Sequence, residues 1–123
     1  MTFHYLATPY TKYQGGVSMA YLEALRAAAR CTVHLIPVFS PIVHFHPISA
    51  HIEPQSHEFW MQACAPFMSA AASVIVVKMP GWEKSAGLMS EIEHFRDARK
   101  IITFLHWPLQ DRQLALIAGS SNL

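Results

Sequence analysis

Apolar positions change their period several times along this chain, and each change predicts an element. Phe3 to Ala7 is short, aromatic and apolar and stops at Thr8-Pro9-Tyr10, which predicts a strand running into a loop. After a polar, Gly-bearing loop over Thr11 to Gly16, Val17, Ala20, Tyr21, Ala24, Leu25, Ala28 and Cys31 recur at helical spacing within a segment of high helix propensity. Thr32 to Phe39 is β-branched and apolar and predicts a second strand, which Pro37 places at an edge or a strand end. Ser40 to His57 holds three prolines and four of the eight histidines without a convincing period, so it reads as a long functional loop.

Further on, Phe59, Trp60, Ala63 and Phe67 predict a helix over Glu58 to Ala72, with Pro66 expected to kink it or to begin a second short helix. Val74 to Lys78 is uniformly apolar up to its lysine, as a buried parallel strand is. The loop to Gly87 feeds a helix with Leu88, Ile92, Phe95 and Arg99 on one stripe. Lys100 to Leu105 predicts a fourth strand and Leu109 to Ala118 a closing helix, followed by a Gly-Ser-Ser-Asn tail expected to fray.

Strands alternating with helices predict an α/β chain: one domain over residues 1–123, a Rossmann-like or flavodoxin-like three-layer sandwich on a mainly parallel sheet of four or five strands. In such sheets ligands bind beyond the strands' C-terminal ends. Three segments leave such ends: Thr8-Tyr10, Ser40-His57 and Met79-Gly87. There is no GxGxxG after the first strand and no GxxxxGK[ST], so neither dinucleotide nor P-loop chemistry is indicated.

Composition narrows the partners. Charged residues are 14% of the chain, against roughly 25% in an average soluble domain, and mean hydropathy is +0.21. An exterior so poor in charge predicts a homo-oligomer. With a formal net charge of +1 and no Lys/Arg run, the electrostatic footprint of a nucleic-acid or anionic-membrane binder is missing. No apolar run approaches the ~18 residues of a bilayer span. Cys31 and Cys64 lack CxxC or zinc spacing and the first residues lack a signal-peptide pattern, so the expected location is the cytoplasm.

The candidate chemistry centres on Glu91. At 100° per residue it falls at the edge of the apolar stripe, beside Leu88 and Phe95, while Glu93 points away. Near a helix N-terminus a carboxylate is favoured in its charged form, which suits a nucleophile or general base. An ordinary helix-start acid compensating the macrodipole fits the position equally well. His44 and His46 would share one side of an extended segment, and with His51 and His57 they invite a metal reading; no acid motif accompanies them, and hydrogen bonding to a polar ligand is the preferred role. Trp60 and Trp82 can stack on a base, although Trp60 also has core spacing. Ser40 and Ser85 can hold a phosphate at helix starts, or simply cap them. Cys64, with no adjacent base, reads as a small buried hydrophobe.

Three pieces together carry a resemblance: Tyr5-Leu6-Ala7-Thr8-Pro9-Tyr10, Phe39-Ser40-Pro41-Ile42-Val43-His44-Phe45-His46-Pro47, and Pro80-Gly81-Trp82-Glu83-Lys84-Ser85-Ala86-Gly87 running to Glu91. From Tyr5 to Leu105 the chain resembles the nucleoside 2-deoxyribosyltransferase-like superfamily, and within it the DUF1937 family of short proteins. The resemblance implies that Tyr5, Ala7, Thr8, Pro9 and Tyr10 line a nucleoside pocket, Thr8 replacing the usual Gly. It implies that Ser85, Gly87 and Glu91 match a Ser-x-Gly-x-x-x-Glu pattern that joins phosphate- or sugar-binding groups to a glutamate nucleophile. Ser40, Pro41, His44, His46, Trp60, Gly81 and Trp82 complete the expected site. The implied activity is cleavage of an N-glycosidic bond in a small nucleoside or nucleotide by retaining double displacement, as hydrolase or transferase, with no metal or organic cofactor. Two acids common among relatives are replaced here by Cys64 and Ala72. Transfer chemistry then requires His44, His46 or Tyr10 to serve the leaving base. The alternative is a catalytically degenerate nucleotide-binding sensor on the same fold.

Overall fold

The computed structural model describes residues 2–121. Its elements run β1 (His4–Ala7), α1 (Val17–Val33), β2 (Val38–Phe39), α2 (Pro41–Ser49), α3 (His57–Ala70), β3 (Ser73–Lys78), a 3₁₀ turn (Trp82–Lys84), α4 (Ala86–Asp97), β4 (Ile101–His106) and α5 (Asp111–Ser121). The four strands form one sheet in the order β2-β1-β3-β4, and every neighbouring pair is parallel. The chain leaves β1 to one side for β2 and then crosses to the other side for β3. The sheet's switch point therefore lies between β1 and β3, where a crevice opens at the strand ends.

Alternation within the strands sorts the core into two layers. Tyr5, Ala7, Val74 and Val76 face Cys64 and Met68 of α3 and Leu88, Ile92 and Phe95 of α4. Leu6, Ile75, Val77 and Leu105 face Ala27 and Cys31 of α1 and Leu114 of α5. This is a three-layer α/β sandwich of the Rossmann-like or flavodoxin-like kind. The buried stripe of α1, Ala20, Ala24, Ala27 and Cys31, is made of small side chains that let the helix lie close to the sheet. At the far end of the molecule, Lys100 Nζ donates to the carbonyls of Met68, Ser69 and Ala71 at 3.1, 2.7 and 2.7 Å, and so closes the end of α3.

Several boundaries differ from the sequence reading. The helix keeps Thr32 and Val33, and β2 shrinks to two residues. Thr32 Oγ1 donates back to the Ala28 carbonyl at 2.8 Å, and Leu35, at φ 58°, turns the chain in the left-handed region. β-branching favours strands only where there is a pleated surface to pack on, and Val33 is 79% exposed. Ser40 to His57 is not one loop, because α2 occupies Pro41–Ser49. Ser40 caps it by accepting from Val43 N–H at 3.2 Å, and Pro41 presets its first φ. Pro66 sits inside α3 and starts no second helix. Gly119 to Ser121, expected to fray, belong to α5; Asn122 lies outside the described residues. Among the described residues no helix is long and apolar enough to cross a membrane.

Candidate functional site

A cleft of about 300 Å³ lies beyond the end of β1, between the segments that follow β1 and β2 and the start of α4, at the lower limit of ligand-site volumes. The loop after β1 contributes Thr8, Tyr10 and Thr11, α2 contributes Pro41, Ile42, Phe45, His46 and Ser49, and the next loop and α3 contribute Gln55, His57, Trp60, Met61 and Cys64. Ser85, Gly87, Leu88 and Glu91, at the start of α4, form the remaining wall. The lining is mainly apolar with a few convergent polar groups, as binding sites for small organic molecules are.

Glu91 is the acid of the cleft, and it is 7% exposed. It is held from the core: Tyr5, buried in β1, donates its hydroxyl to Glu91 Oε2. Burial pushes the Glu91 carboxyl up to about 7, and the Tyr5 hydrogen bond pulls the other way by favouring the charged form. Burial first, and then the charge of Glu91, push the Tyr5 hydroxyl far above its ordinary value, so it stays a donor. Beside them the Cys64 thiol is pushed up to about 11, chiefly by burial. It is a neutral thiol, in keeping with its reading as a small buried hydrophobe. The expectation that the helix N-terminus would hold Glu91 charged is corrected here. Glu91 is the sixth residue of α4, beyond the first turn where the dipole is felt, and desolvation outweighs it.

The structure sorts the other expected site residues into three groups. Thr8, Tyr10, Pro41, His46, Trp60, Ser85 and Gly87 line the cleft with Glu91. Tyr5, Ala7 and Pro9 are buried behind it, Tyr5 acting through its bond to Glu91, while the Ser40 and Ser85 hydroxyls cap α2 and α4, Ser85 accepting from Leu88 N–H at 3.4 Å. His44, Gly81 and Trp82 lie away from the cleft. His44 and His46 do not share a side, because on a helix two residues are separated by about 200°. His44 is exposed and sits 5.4 Å from the Phe39 ring and 5.7 Å from the Phe67 ring. Gly81, at φ 78°, supplies the left-handed turn after β3. Trp82 packs on the core and against Phe104, with ring centroids 5.8 Å apart.

Ile42, Phe45, His46 and Ser49 form an i, i+3, i+4, i+7 face that the loop reading hid. The signal was present in Ser40-Pro41, a cap followed by a proline at the first helical position. Phe45 and Trp60 meet edge to face, with centroids 5.6 Å apart, and build an aromatic wall. Thr8 is 2% exposed, and its hydroxyl has no hydrogen-bond partner among the described residues. Among those residues no group of three or more His, Cys, Asp or Glu is placed to hold a metal ion.

Fold and cleft together define an α/β domain that presents a buried carboxylate in a small-molecule-sized crevice at the switch point of a parallel sheet. Residues 2–106 match the family described as a domain of unknown function, DUF1937, and the chain belongs to that family. No curated protein matches it.

Proposed function

We propose that this protein is a nucleoside 2-deoxyribosyltransferase-like enzyme that cleaves the N-glycosidic bond of a small nucleoside or nucleotide, with Glu91 as nucleophile. The observation that carries this reading is the placement of Glu91: a buried carboxylate, held by Tyr5 through one oxygen, lining a cleft at the strand ends. With Oε2 engaged by Tyr5, the other oxygen is the attacking atom. It forms a bond to the anomeric carbon while the bond to the base breaks, the electron pair leaving with the base. Water or a second base then releases the sugar from the glycosyl ester and restores the carboxylate. Ser85 and Gly87 bring the start of α4 into the cleft, and free N–H groups at a helix start suit the phosphate of a nucleotide. Trp60 and Phe45 offer the base an aromatic wall.

Base release from nucleosides and 5′-monophosphates, followed by chromatography, tests the reading. Glu91→Gln should abolish release with the fold intact; undiminished release would remove Glu91 from the mechanism. A second reading, a nucleotide-binding sensor on the same scaffold, is favoured by Cys64 and Ala72 standing where the resemblance implies acids. Thermal shifts with nucleotides but no released base would support it. Both readings carry a cytoplasmic protein that forms a homo-oligomer, and the association is supported by the exposed side chains Leu35 (87%), Val33 (79%), Ile101 (72%) and Leu116 (70%).

A further inference from the structure

Elsewhere on the wall of the same cleft, three elements converge on one imidazole. The hydroxyl of Tyr10, on the loop after β1, lies 2.6 Å from Nδ1 of His46 on α2. The ring of Tyr21, on α1, stacks on the imidazole with centroids 4.5 Å apart and planes at 23°. Within α2, the Ser49 hydroxyl donates to the His46 carbonyl at 2.6 Å. Tyr10 and His46 line the same cleft as Glu91, and among the described residues His46 Nε2 has no hydrogen-bond partner.

The charge state of the ring decides the roles at this contact. The imidazolium carries protons on both nitrogens, so its Nδ1–H donates to the Tyr10 oxygen, and when Nε2 gives up its proton that bond keeps the remaining one on Nδ1. Nε2 is therefore a donor in the imidazolium and an acceptor in the neutral ring. Burial raises the Tyr10 hydroxyl above its ordinary value, against a smaller opposite effect of Ser49, so Tyr10 remains a neutral hydroxyl whose oxygen accepts from Nδ1–H.

Resting on the reading of Glu91 above, we propose that His46 is the acid that protonates the departing base, with Tyr10 and Tyr21 as its positioning residues. In the first step the carboxylate forms its bond to the anomeric carbon, the carbon–nitrogen bond breaks, and the imidazolium gives its Nε2 proton to the base nitrogen that receives the electron pair. In the second step the neutral imidazole takes a proton from water as its oxygen attacks the glycosyl ester, which regenerates imidazolium and carboxylate. Protons balance over the cycle, and no co-reactant beyond water is required. The substrates this arrangement serves are nucleosides or nucleotides whose base leaves poorly without a proton.

The test compares leaving groups. Wild type, His46→Ala, His46→Gln, Tyr10→Phe and Glu91→Gln are assayed for base release from guanosine and its 5′-monophosphate, and from the N7-methylated forms, whose base departs neutral without added protonation. His46→Ala and His46→Gln should lose about 10²- to 10⁴-fold in kcat/KM on the unmethylated pair and much less on the methylated pair. Glutamine retains an N–H donor but transfers no proton, so it separates acid catalysis from hydrogen bonding. Tyr10→Phe should show the same leaving-group pattern with a smaller loss. Equal losses on both pairs, or full activity of His46→Gln, would overturn the role of His46 alone. Absence of base release by the wild type from either pair would overturn the Glu91 reading with it.

Discussion

The Tyr5 hydroxyl and the Glu91 carboxylate meet across 86 positions of sequence, one from the centre of the sheet and the other from α4. Tyr5 is completely buried, its ring 5.5 Å from Phe95 and 6.0 Å from Phe39. Rigid packing thus fixes the donor, and the donor fixes one carboxylate oxygen. The acid of the cleft is positioned by the core itself.

Tyr5→Phe keeps the ring and deletes the hydroxyl. The hydrogen bond favours ionised Glu91 while burial opposes ionisation, so its removal should raise the carboxyl further above about 7. The acidic limb of a kcat/KM profile for base release should move to higher pH. A limb that stays in place would mean that Tyr5 does not govern ionisation of the attacking group. The stability cost is expected at about 1–3 kcal/mol, as for other buried hydrogen bonds to a charged group.

Glu91 also makes stability depend on pH with a definite sign. Its folded value, about 7, lies above its ordinary value of 4.5, so between those limits the folded state holds more protons than the unfolded. Stability is then full below about pH 4.5 and falls as pH rises towards 7, by about 3 kcal/mol from this group. Tyr5 of β1 and Cys64 of α3, the groups named beside it, stay neutral over that window. Glu91→Gln should lack this slope and gain on the wild type between pH 5 and pH 8 in urea unfolding. Parallel pH curves for the two proteins would show that desolvation of Glu91 is small.

The layers were legible because their signals are local and strong. β3 is five fully buried residues and a lysine, and the helical stripe of α4 placed Leu88, Glu91 and Phe95 together on the buried side. The residues at the first strand's end and Ser85, Gly87 and Glu91 were expected at a site from the family resemblance, and Thr8, Tyr10, Ser85, Gly87 and Glu91 line the cleft. What escaped depended on tertiary context. The histidines and prolines around α2 masked a helix that needs β1 and α1 beneath it, so Phe45 and Ser49 were missed and His44 was misplaced. The ionisation of Glu91 was misjudged because its burial depends on tertiary packing, which brings Tyr5 of β1 and Cys64 of α3 beside it.

Thr8 offers a direct reading of an unpaired group. Its hydroxyl is buried without a partner, and an unsatisfied hydroxyl costs about 1–3 kcal/mol. Thr8→Val keeps the branched shape, so the melting temperature of the ligand-free protein should rise by a few degrees. If the hydroxyl serves the ligand, the same variant should show a smaller thermal shift with nucleotides than the wild type. A lower melting temperature would show that the hydroxyl has a partner.

Ser40 tests whether α2 is the wall the cleft depends on. Its hydroxyl accepts from Val43 N–H at 3.2 Å, and loss of such a cap costs about 0.5–2 kcal/mol. The nine residues of α2 contain a second proline, Pro47, which removes one hydrogen bond inside the helix. A helix this short depends on its cap more than most. Ser40→Ala should therefore increase hydrogen exchange over 41–49 more than elsewhere, and weaken nucleotide binding through Phe45 and His46. Ser40→Asp, which restores an N-cap acceptor, should recover both. Recovery of the exchange pattern without recovery of binding would place the role of Ser40 at the ligand and not at the cap.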